Sequence, residues 1–180
     1  MERQRIFIDD ILSNENMNRA YKQVIKNKGA AGIDGMECND LFSHLKVNGH
    51  QLRESIRNQS YKPMPVKRVE IPKDNGSKRK LGIPTVTDRM IQQAACLLYT
   101  SDAAGKSAQQ AVLKAAEYMN EGYNWVVDID LEKFFDTVEH DKMISILNKE
   151  IKDGKTLSLI RKFLASGVMV GEQMEETEIG

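Results

Sequence analysis

Residues 126–136 read VVDIDLEKFFD, and this stretch says most about the fold. Because strand side chains alternate between faces, we predict a strand over Asn124–Asp130 that places Asp128 and Asp130 on one face. Carboxylates at the end of a buried strand are costly unless a cation balances them, and Mg²⁺ favours carboxylate and phosphate oxygens. A second interpretation stays open, in which one aspartate caps a turn and the other pairs with Lys133. The stretch therefore predicts an acidic strand end, with or without a metal ion.

Upstream of this stretch, residues 66–83 are typical of a β-hairpin. Two extended segments flank the turn-forming residues 74–77, and prolines at 63 and 65 end the preceding helix. Cationic side chains crowd on or beside the turn: Lys67, Arg68, Lys73, Lys78, Arg79 and Lys80. Such a tip can hold phosphates through charge-assisted hydrogen bonds. It can equally be a soluble edge hairpin that lysines protect from aggregation.

The rest of the chain is mostly helical by its apolar periodicity and its glycine and proline breaks. We predict helices over Asn14–Lys28, Glu37–Lys46, His50–Asn58, Arg89–Leu97, Ser107–Asn120, Val138–Glu150 and Thr156–Ser166. Asn48-Gly49 is expected to end the second helix, and Thr87 or Asp88 to cap the fourth. From Val168 onward we predict a strand or hairpin. The fold class is therefore α+β.

Composition excludes several classes of protein. Apolar residues make up 41% and charged residues 29% of the 180, as in an ordinary globular protein. The two cysteines are too few for a disulfide framework or a zinc site. The sequence has neither an apolar run of membrane-spanning length nor a signal peptide, so we expect a cytoplasmic protein with no membrane partner.

Charge is divided unevenly between the two parts of the chain. Residues 1–100 hold 17 Lys/Arg against 11 Asp/Glu, and residues 101–180 hold 9 against 15. A net +6 followed by a net −6 suggests that the first part faces nucleic acid. Chance variation in solvated surfaces is the alternative.

Taken together, four blocks in order resemble the reverse transcriptases of group II introns. Residues 20–35 resemble that family's N-terminal extension. The fingers are matched by Ile71-Pro72-Lys73, by the run from Arg79 to Thr85, and by Asp88-Arg89 with residues 91–94. Residues 130–136 resemble the first palm motif, an aspartate followed five residues later by an aromatic. The resemblance covers nearly the whole chain.

The resemblance implies a role for particular residues. Asp130 would be a catalytic aspartate and a Mg²⁺ ligand, and Leu131 would offer its carbonyl to the metal. Lys73 and Arg79 would hold the triphosphate of the incoming nucleotide. Phe135 would lie beneath the sugar and disfavour a ribose. Asp128 has no catalytic counterpart and is interpreted as a supporting residue.

The implied organisation is a helical N-terminal extension at 1–60, fingers at 61–120 and the beginning of a palm sheet at 121–180. The segment from Cys96 to Lys106 departs from the family pattern, which suggests a deletion or a foreign segment. The family's second aspartate motif is expected beyond residue 180. A two-metal site needs more than one carboxylate, so the chain alone is expected to be inactive.

Two functions remain open from the sequence. The first is a truncated RNA-directed DNA polymerase domain, acting with an intron RNA template, a DNA primer and deoxynucleotide triphosphates. The second is an RNA-binding maturase module that recognises intron RNA without catalysis.

Overall fold

The computed structural model describes residues 7–72, 76, 78–101, 108–129 and 137–177. In these ranges the chain forms α1 (Ile8–Ile11), α2 (Asn14–Asn27), a 3-10 turn (Cys38–Asp40), α3 (Leu41–Arg57), β1 (Val66–Pro72), β2 (Lys78–Ile83), α4 (Val86–Ser101), α5 (Ala108–Asn120), α6 (His140–Glu150), α7 (Gly154–Leu164), β3 (Val168–Val170) and β4 (Gln173–Glu175). The α+β class is confirmed. None of the helices in these ranges is long and apolar enough to span a membrane.

Helix α2 forms where its capping signals predict. The Ser13 hydroxyl accepts a hydrogen bond from the Asn16 backbone N–H at 3.3 Å, which satisfies a free donor of the first turn. Lys28 ends the helix in the left-handed region, with φ of 47°. The face that carries Met17, Ala20 and Val24 is buried, as the three- and four-residue spacing requires.

Helix α3 is one continuous helix where the sequence predicted two short ones. It runs without a break through Asn48 and Gly49, and it ends only at Arg57. Leu41 and Ile56 are buried in the core, and Leu45 and Leu52 pack against it. These four side chains share one helix face, so their burial outweighs the cost of about 1 kcal/mol for a glycine inside a helix.

The core lies between α2, α3 and α4. Its buried side chains come from both ends of the chain: Ile8, Ile11, Leu12, Met17, Ala20, Val24, Cys38, Leu41, Ile56, Val86, Met90, Ile91, Ala94 and Leu159. The buried Asn16 amide ties α2 to α4, since it donates to the Ile11 carbonyl at 2.9 Å and to the Ala94 carbonyl at 2.8 Å. Helix α4 begins three residues before the predicted Arg89.

The sheet has the strand order β2-β1-β3-β4. Strands β1 and β2 form the predicted antiparallel hairpin, and β3 and β4 form a second one. The two hairpins join through a parallel pairing, with Val66 opposite Val168 and Lys67 opposite Met169. The hairpin β1–β2 is therefore anchored at its base to a segment about a hundred residues away.

The predicted strand over Asn124–Asp130 is not observed in its described part. Residues 123–129 lie outside regular secondary structure. Val127 and Ile129, which the predicted strand would place on the face opposite Asp128, are 83% and 81% exposed. A strand needs a neighbour for its backbone hydrogen bonds, and no described strand lies beside this segment.

Candidate functional site

Arg79 lies on β2, one of the two edge strands of the described sheet. Its Cα partner on β1 is Ile71. Because residues directly opposite each other share a face, Arg79 projects from the same face as Ile71 and, further along, Leu81. Arg79 is exposed, and Ile71 keeps 45% of its surface accessible. The site thus presents a guanidinium at the outer end of a partly apolar strand face.

Within the described part of this hairpin the acidic residue is Glu70, and it is already paired. Glu70 Oε2 lies 2.8 Å from Lys78 Nζ. The hydrogen bond and the charge of Lys78 lower the pKa of Glu70, and Glu70 in turn raises the pKa of Lys78. Arg79 has no ion-pair partner among the residues that the structure describes. Its guanidinium is therefore available to an anionic ligand.

Both ends of the β1–β2 hairpin meet at Asp88, which is 1% exposed. Its Oδ1 accepts from the Tyr61 hydroxyl at 2.6 Å. Its Oδ2 accepts from the Thr85 hydroxyl at 2.7 Å and from the Met64 backbone N–H at 3.2 Å. Burial and then the charge of Asp88 raise the pKa of Tyr61, so the phenol stays a donor.

The sequence predicted Asp88 as a possible helix cap and as part of a block that resembles the fingers, but it did not predict this cluster. The available signal was Thr85 followed three residues later by Asp88, a spacing typical of a capping box. The Asp88 backbone N–H donates to the Thr85 hydroxyl at 3.1 Å, as that motif requires. The partnership with Tyr61 has no local sequence signal.

A glycine-containing loop packs against the same corner. A β-carbon at Gly32 would lie 2.7 Å from Thr85 Cα and 2.8 Å from Thr85 N. The Arg89 guanidinium donates to the Ala30 carbonyl at 2.6 Å. The loop therefore holds the turn between β2 and α4 in place.

The other predicted site residues, Lys73, Asp130, Leu131 and Phe135, lie outside the described residues. Asp128 is described and exposed. Among the described residues, no group of three or more His, Cys, Asp and Glu side chains could hold a metal ion. Of the residues given a direct role, the described part of the chain thus contains Arg79.

Comparison with known proteins assigns the family. Residues 71–179 match the family model "Reverse transcriptase (RNA-dependent DNA polymerase)". This chain belongs to the reverse transcriptase family. The matched residues include the part of the hairpin from residue 71 to residue 83, with Arg79, and the segment that holds Asp130.

Curated relatives include proteins encoded by group II introns. The chain is 34% identical over 174 residues to "Group II intron-encoded protein LtrA" of Lactococcus lactis subsp. cremoris, covering 89% of this reverse transcriptase chain and 29% of that protein. It is 30% identical to "Protein YkfC" of Escherichia coli K12, covering 87% of this chain and 46% of that protein. The chain therefore spans less than half the length of these relatives.

Solved structures agree on the fold. The reverse transcriptase chain matches one chain of a "Partial Cas6-RT-Cas1--Cas2 complex" with a TM-score of 0.62 and 18% identity, over 96% of this chain and 30% of that one. At this identity the match supports the fold alone. The resemblance read from the four sequence blocks is confirmed at the level of the family.

Proposed function

We propose that this chain is the fingers and early palm part of an RNA-directed DNA polymerase encoded by a group II intron. Its substrates are deoxynucleotide triphosphates, and its nucleic-acid partners are an intron RNA template and a DNA primer. The observation that carries the proposal is Arg79, which lies inside the segment that matches the family, is exposed on the hairpin and has no ion-pair partner among the described residues. The organisation into an extension at 1–60, fingers at 61–120 and palm from 121 is part of the same proposal.

In this proposal Lys73 and Arg79 hold the triphosphate of the incoming nucleotide. A guanidinium can bind a phosphate through two parallel hydrogen bonds. The neighbouring Glu70 is occupied by Lys78 at 2.8 Å, so it does not compete for Arg79. The partly apolar face around Ile71 and Leu81 adds a surface against which a nucleotide can pack.

Asp130 and Leu131 supply oxygen ligands for Mg²⁺ in this proposal, and Phe135 lies beneath the sugar. A carboxylate and a backbone carbonyl are the oxygen donors that magnesium prefers. In the part of the chain that the structure describes, no group of three or more His, Cys, Asp and Glu side chains could hold a metal ion, so no step through the metal is assigned to these residues. The chain's own described contribution is to bind and orient the triphosphate.

A second candidate function, RNA binding without catalysis, is favoured by the charge of the first hundred residues. They carry a net +6, and exposed cations on β1 and β2 include Lys67, Lys78 and Lys80. Neutralising phosphates releases counterions, so such binding weakens steeply with salt. A complete protein can combine both functions.

The connection near Cys96–Lys106 is proposed to be shortened relative to the family. The alignment with LtrA is 174 positions long, but it includes only 89% of the 180 residues of this chain, about 160. The difference corresponds to positions at which this chain has a gap. After this connection every described residue of 108–129 is exposed, including Val112 at 68% and Trp125 at 95%. Independent long-read sequencing of the source DNA tests the proposal, since a longer connection at this point should be recovered.

The polymerase assignment is tested in a hybrid polymerase, defined as a complete group II intron reverse transcriptase whose matching segment is replaced by this chain. Primer extension by the hybrid should be abolished by Asp130→Asn, while RNA affinity measured by fluorescence anisotropy stays nearly unchanged. The physical reason is that the change removes a metal ligand and not a phosphate contact. Extension by the variant at close to the parent rate would show that the role given to Asp130 is wrong.

If the hybrid binds RNA with a steep salt dependence but extends no primer, the second candidate is favoured. Asp128→Asn serves as the matched control. It removes a carboxylate two residues away that is given no catalytic role, so extension should persist.

A further inference from the structure

Asp88 connects the two ends of the fingers hairpin. Met64, whose backbone N–H reaches Asp88 Oδ2 at 3.2 Å, lies two residues before β1. Thr85, whose hydroxyl reaches the same oxygen at 2.7 Å, lies two residues after β2. The segments just before and just after the hairpin are therefore hydrogen-bonded to the same carboxylate.

The three donors to Asp88 are neutral, and its side chain is almost wholly buried. Burying a carboxylate is costly unless hydrogen bonds compensate. A carboxylate in this setting holds its donors strongly, because hydrogen bonds to charged groups are roughly twice as strong as neutral ones. Losing one acceptor also leaves a buried donor unsatisfied.

The base of the hairpin is held from its other side by α7 and β3. The Lys162 ammonium donates to the carbonyls of Gln59 and, at 3.0 Å, of Tyr61. The Val66 N–H donates to the Gly167 carbonyl at 3.0 Å. Tyr61 is thus fixed through both its backbone and its phenol.

We propose that Asp88 is a positioning residue that sets the orientation of the β1–β2 hairpin on the core. Through the hairpin it places the Arg79 guanidinium where the triphosphate of the nucleotide is bound. The second part of the proposal rests on the proposed function. The first part concerns geometry alone and can be tested without catalysis.

The substitution Asp88→Asn separates positioning from packing. The amide has nearly the shape of the carboxylate, but its nitrogen cannot accept a hydrogen bond. All three hydrogen bonds therefore lose their charge assistance, and the group that faces the nitrogen must either accept a hydrogen bond instead or go unpaired, so the hold on one end of the hairpin weakens. The control is Asn16→Ala, which removes the buried hydrogen bonds that join α2 to α1 and to α4 and touches neither end of the hairpin.

The geometric test measures spin-label distances within this chain, between Lys80→Cys on β2 and Lys22→Cys on α2. Both positions are exposed, and the two native cysteines are first replaced by serine. Asp88→Asn should broaden the distance distribution, and Asn16→Ala should leave it narrow at a matched loss of thermal stability. A distribution that stays narrow in Asp88→Asn overturns the proposal.

If Asp88→Asn does not fold, Tyr61→Phe takes its place. It removes one donor to Asp88 and keeps the ring that packs against Phe163, with centroids 6.5 Å apart. A smaller broadening of the same distance is then expected. An unchanged distribution overturns the proposal here as well.

The functional test uses the hybrid polymerase. Asp88→Asn should raise the KM for deoxynucleotide by about tenfold, because small misplacements of a binding group are costly, and should change kcat less. If Asp88→Asn broadens the distance distribution but leaves the KM unchanged, release of the hairpin does not affect nucleotide binding. That result overturns the proposed link between Asp88 and the placement of Arg79. If Arg79→Ala also leaves KM unchanged, the proposed function fails, while the distance result still decides the geometric part.

Discussion

The backbones of Gly32 and Thr85 approach so closely that position 32 has no room for a β-carbon. A β-carbon on Gly32 would lie 2.7 Å from Thr85 Cα and 3.0 Å from the Pro84 carbonyl carbon. Real β-carbons essentially never approach backbone atoms to less than 3.0 Å. The loop that contains Gly32 therefore packs directly on the corner where β2 turns into α4.

The first prediction follows from this approach. Gly32→Ala should lower the free energy of unfolding by about 1–3 kcal/mol, the usual cost of overpacking, because the Thr85 backbone must move. Denaturant unfolding measures the change. Gly49→Ala is the control: its β-carbon would meet only Leu45 Cβ, at 3.9 Å, so it should stabilise α3 by about 0.5–1 kcal/mol. If the Gly32→Ala protein is as stable as the parent, the Thr85 backbone can move at little cost in free energy, which contradicts the prediction.

The second prediction concerns Asp153, the N-cap of α7. Its Oδ2 accepts from the Thr156 hydroxyl at 2.6 Å, the Thr156 N–H at 3.1 Å and the Ile8 N–H at 2.9 Å. Burial raises the pKa of Asp153, but the hydrogen bonds from Thr156 and Ile8 together outweigh it and leave the pKa below its ordinary value. Asp153→Ala should cost about 1–2 kcal/mol at pH 7, as for other caps.

The pH dependence of this contribution has a definite sign. Because the folded-state pKa of Asp153 is lowered, its stabilisation is complete above the unfolded pKa of about 3.9 and is lost as the pH falls through the folded value. The stability difference between the parent and Asp153→Ala should therefore narrow below about pH 4. Thermal unfolding of both proteins between pH 7 and pH 2 measures it. A constant difference would contradict the charged-cap explanation.

The third prediction addresses the triphosphate contacts. In the hybrid polymerase, Lys73→Ala and Arg79→Ala should raise the KM for nucleotide by about tenfold or more, since each removes a charge-assisted hydrogen bond of about 1.5–3 kcal/mol. RNA affinity should change less. Lys22→Ala, which removes an exposed cation of α2, should leave the KM unchanged. Weaker RNA binding at an unchanged KM would instead assign the hairpin to the template.

The fourth prediction separates Phe135 from Phe134. Phe135→Val in the hybrid should increase ribonucleotide incorporation relative to deoxyribonucleotide, because a smaller side chain leaves space for a 2′-hydroxyl. Phe134→Val should alter stability without altering sugar choice, since consecutive residues leaving a strand point in different directions. Steady-state incorporation of both nucleotide types provides the measurement. If Phe135→Val and the parent discriminate equally between the two sugars, Phe135 has a packing role only.

Local signals predicted the hairpin and most helices correctly. Strands β1 and β2 follow from their extended segments and the turn residues between them, and α2 follows from Ser13 and its apolar stripe. The helix start at Val86 was misjudged, because Thr87 and Asp88 are also good caps. In the structure the Asp88 N–H donates to the Thr85 hydroxyl, and the Asp88 carboxylate accepts from Tyr61, a residue 27 positions away.

Among the predicted site residues, the described structure contains only Arg79. Its place on the edge strand β2 agrees with the pattern of the hairpin. The roles of Lys73, Asp130, Leu131 and Phe135 remain predictions from the family resemblance. The alternation around Val127 predicted a strand, but a strand also depends on a neighbour that the local sequence does not specify.

The sequence by itself determined the class of fold, the hairpin and the family, because turn residues, helix caps and motif order are local properties of the chain. Only the tertiary structure decided that α3 continues through Gly49, that β1 pairs with β3, and that one buried carboxylate joins both ends of the hairpin. Each of these features depends on contacts between residues far apart in sequence. Burial of apolar surface in a shared core stabilises these features. Local sequence patterns do not specify which distant groups come into contact in that core.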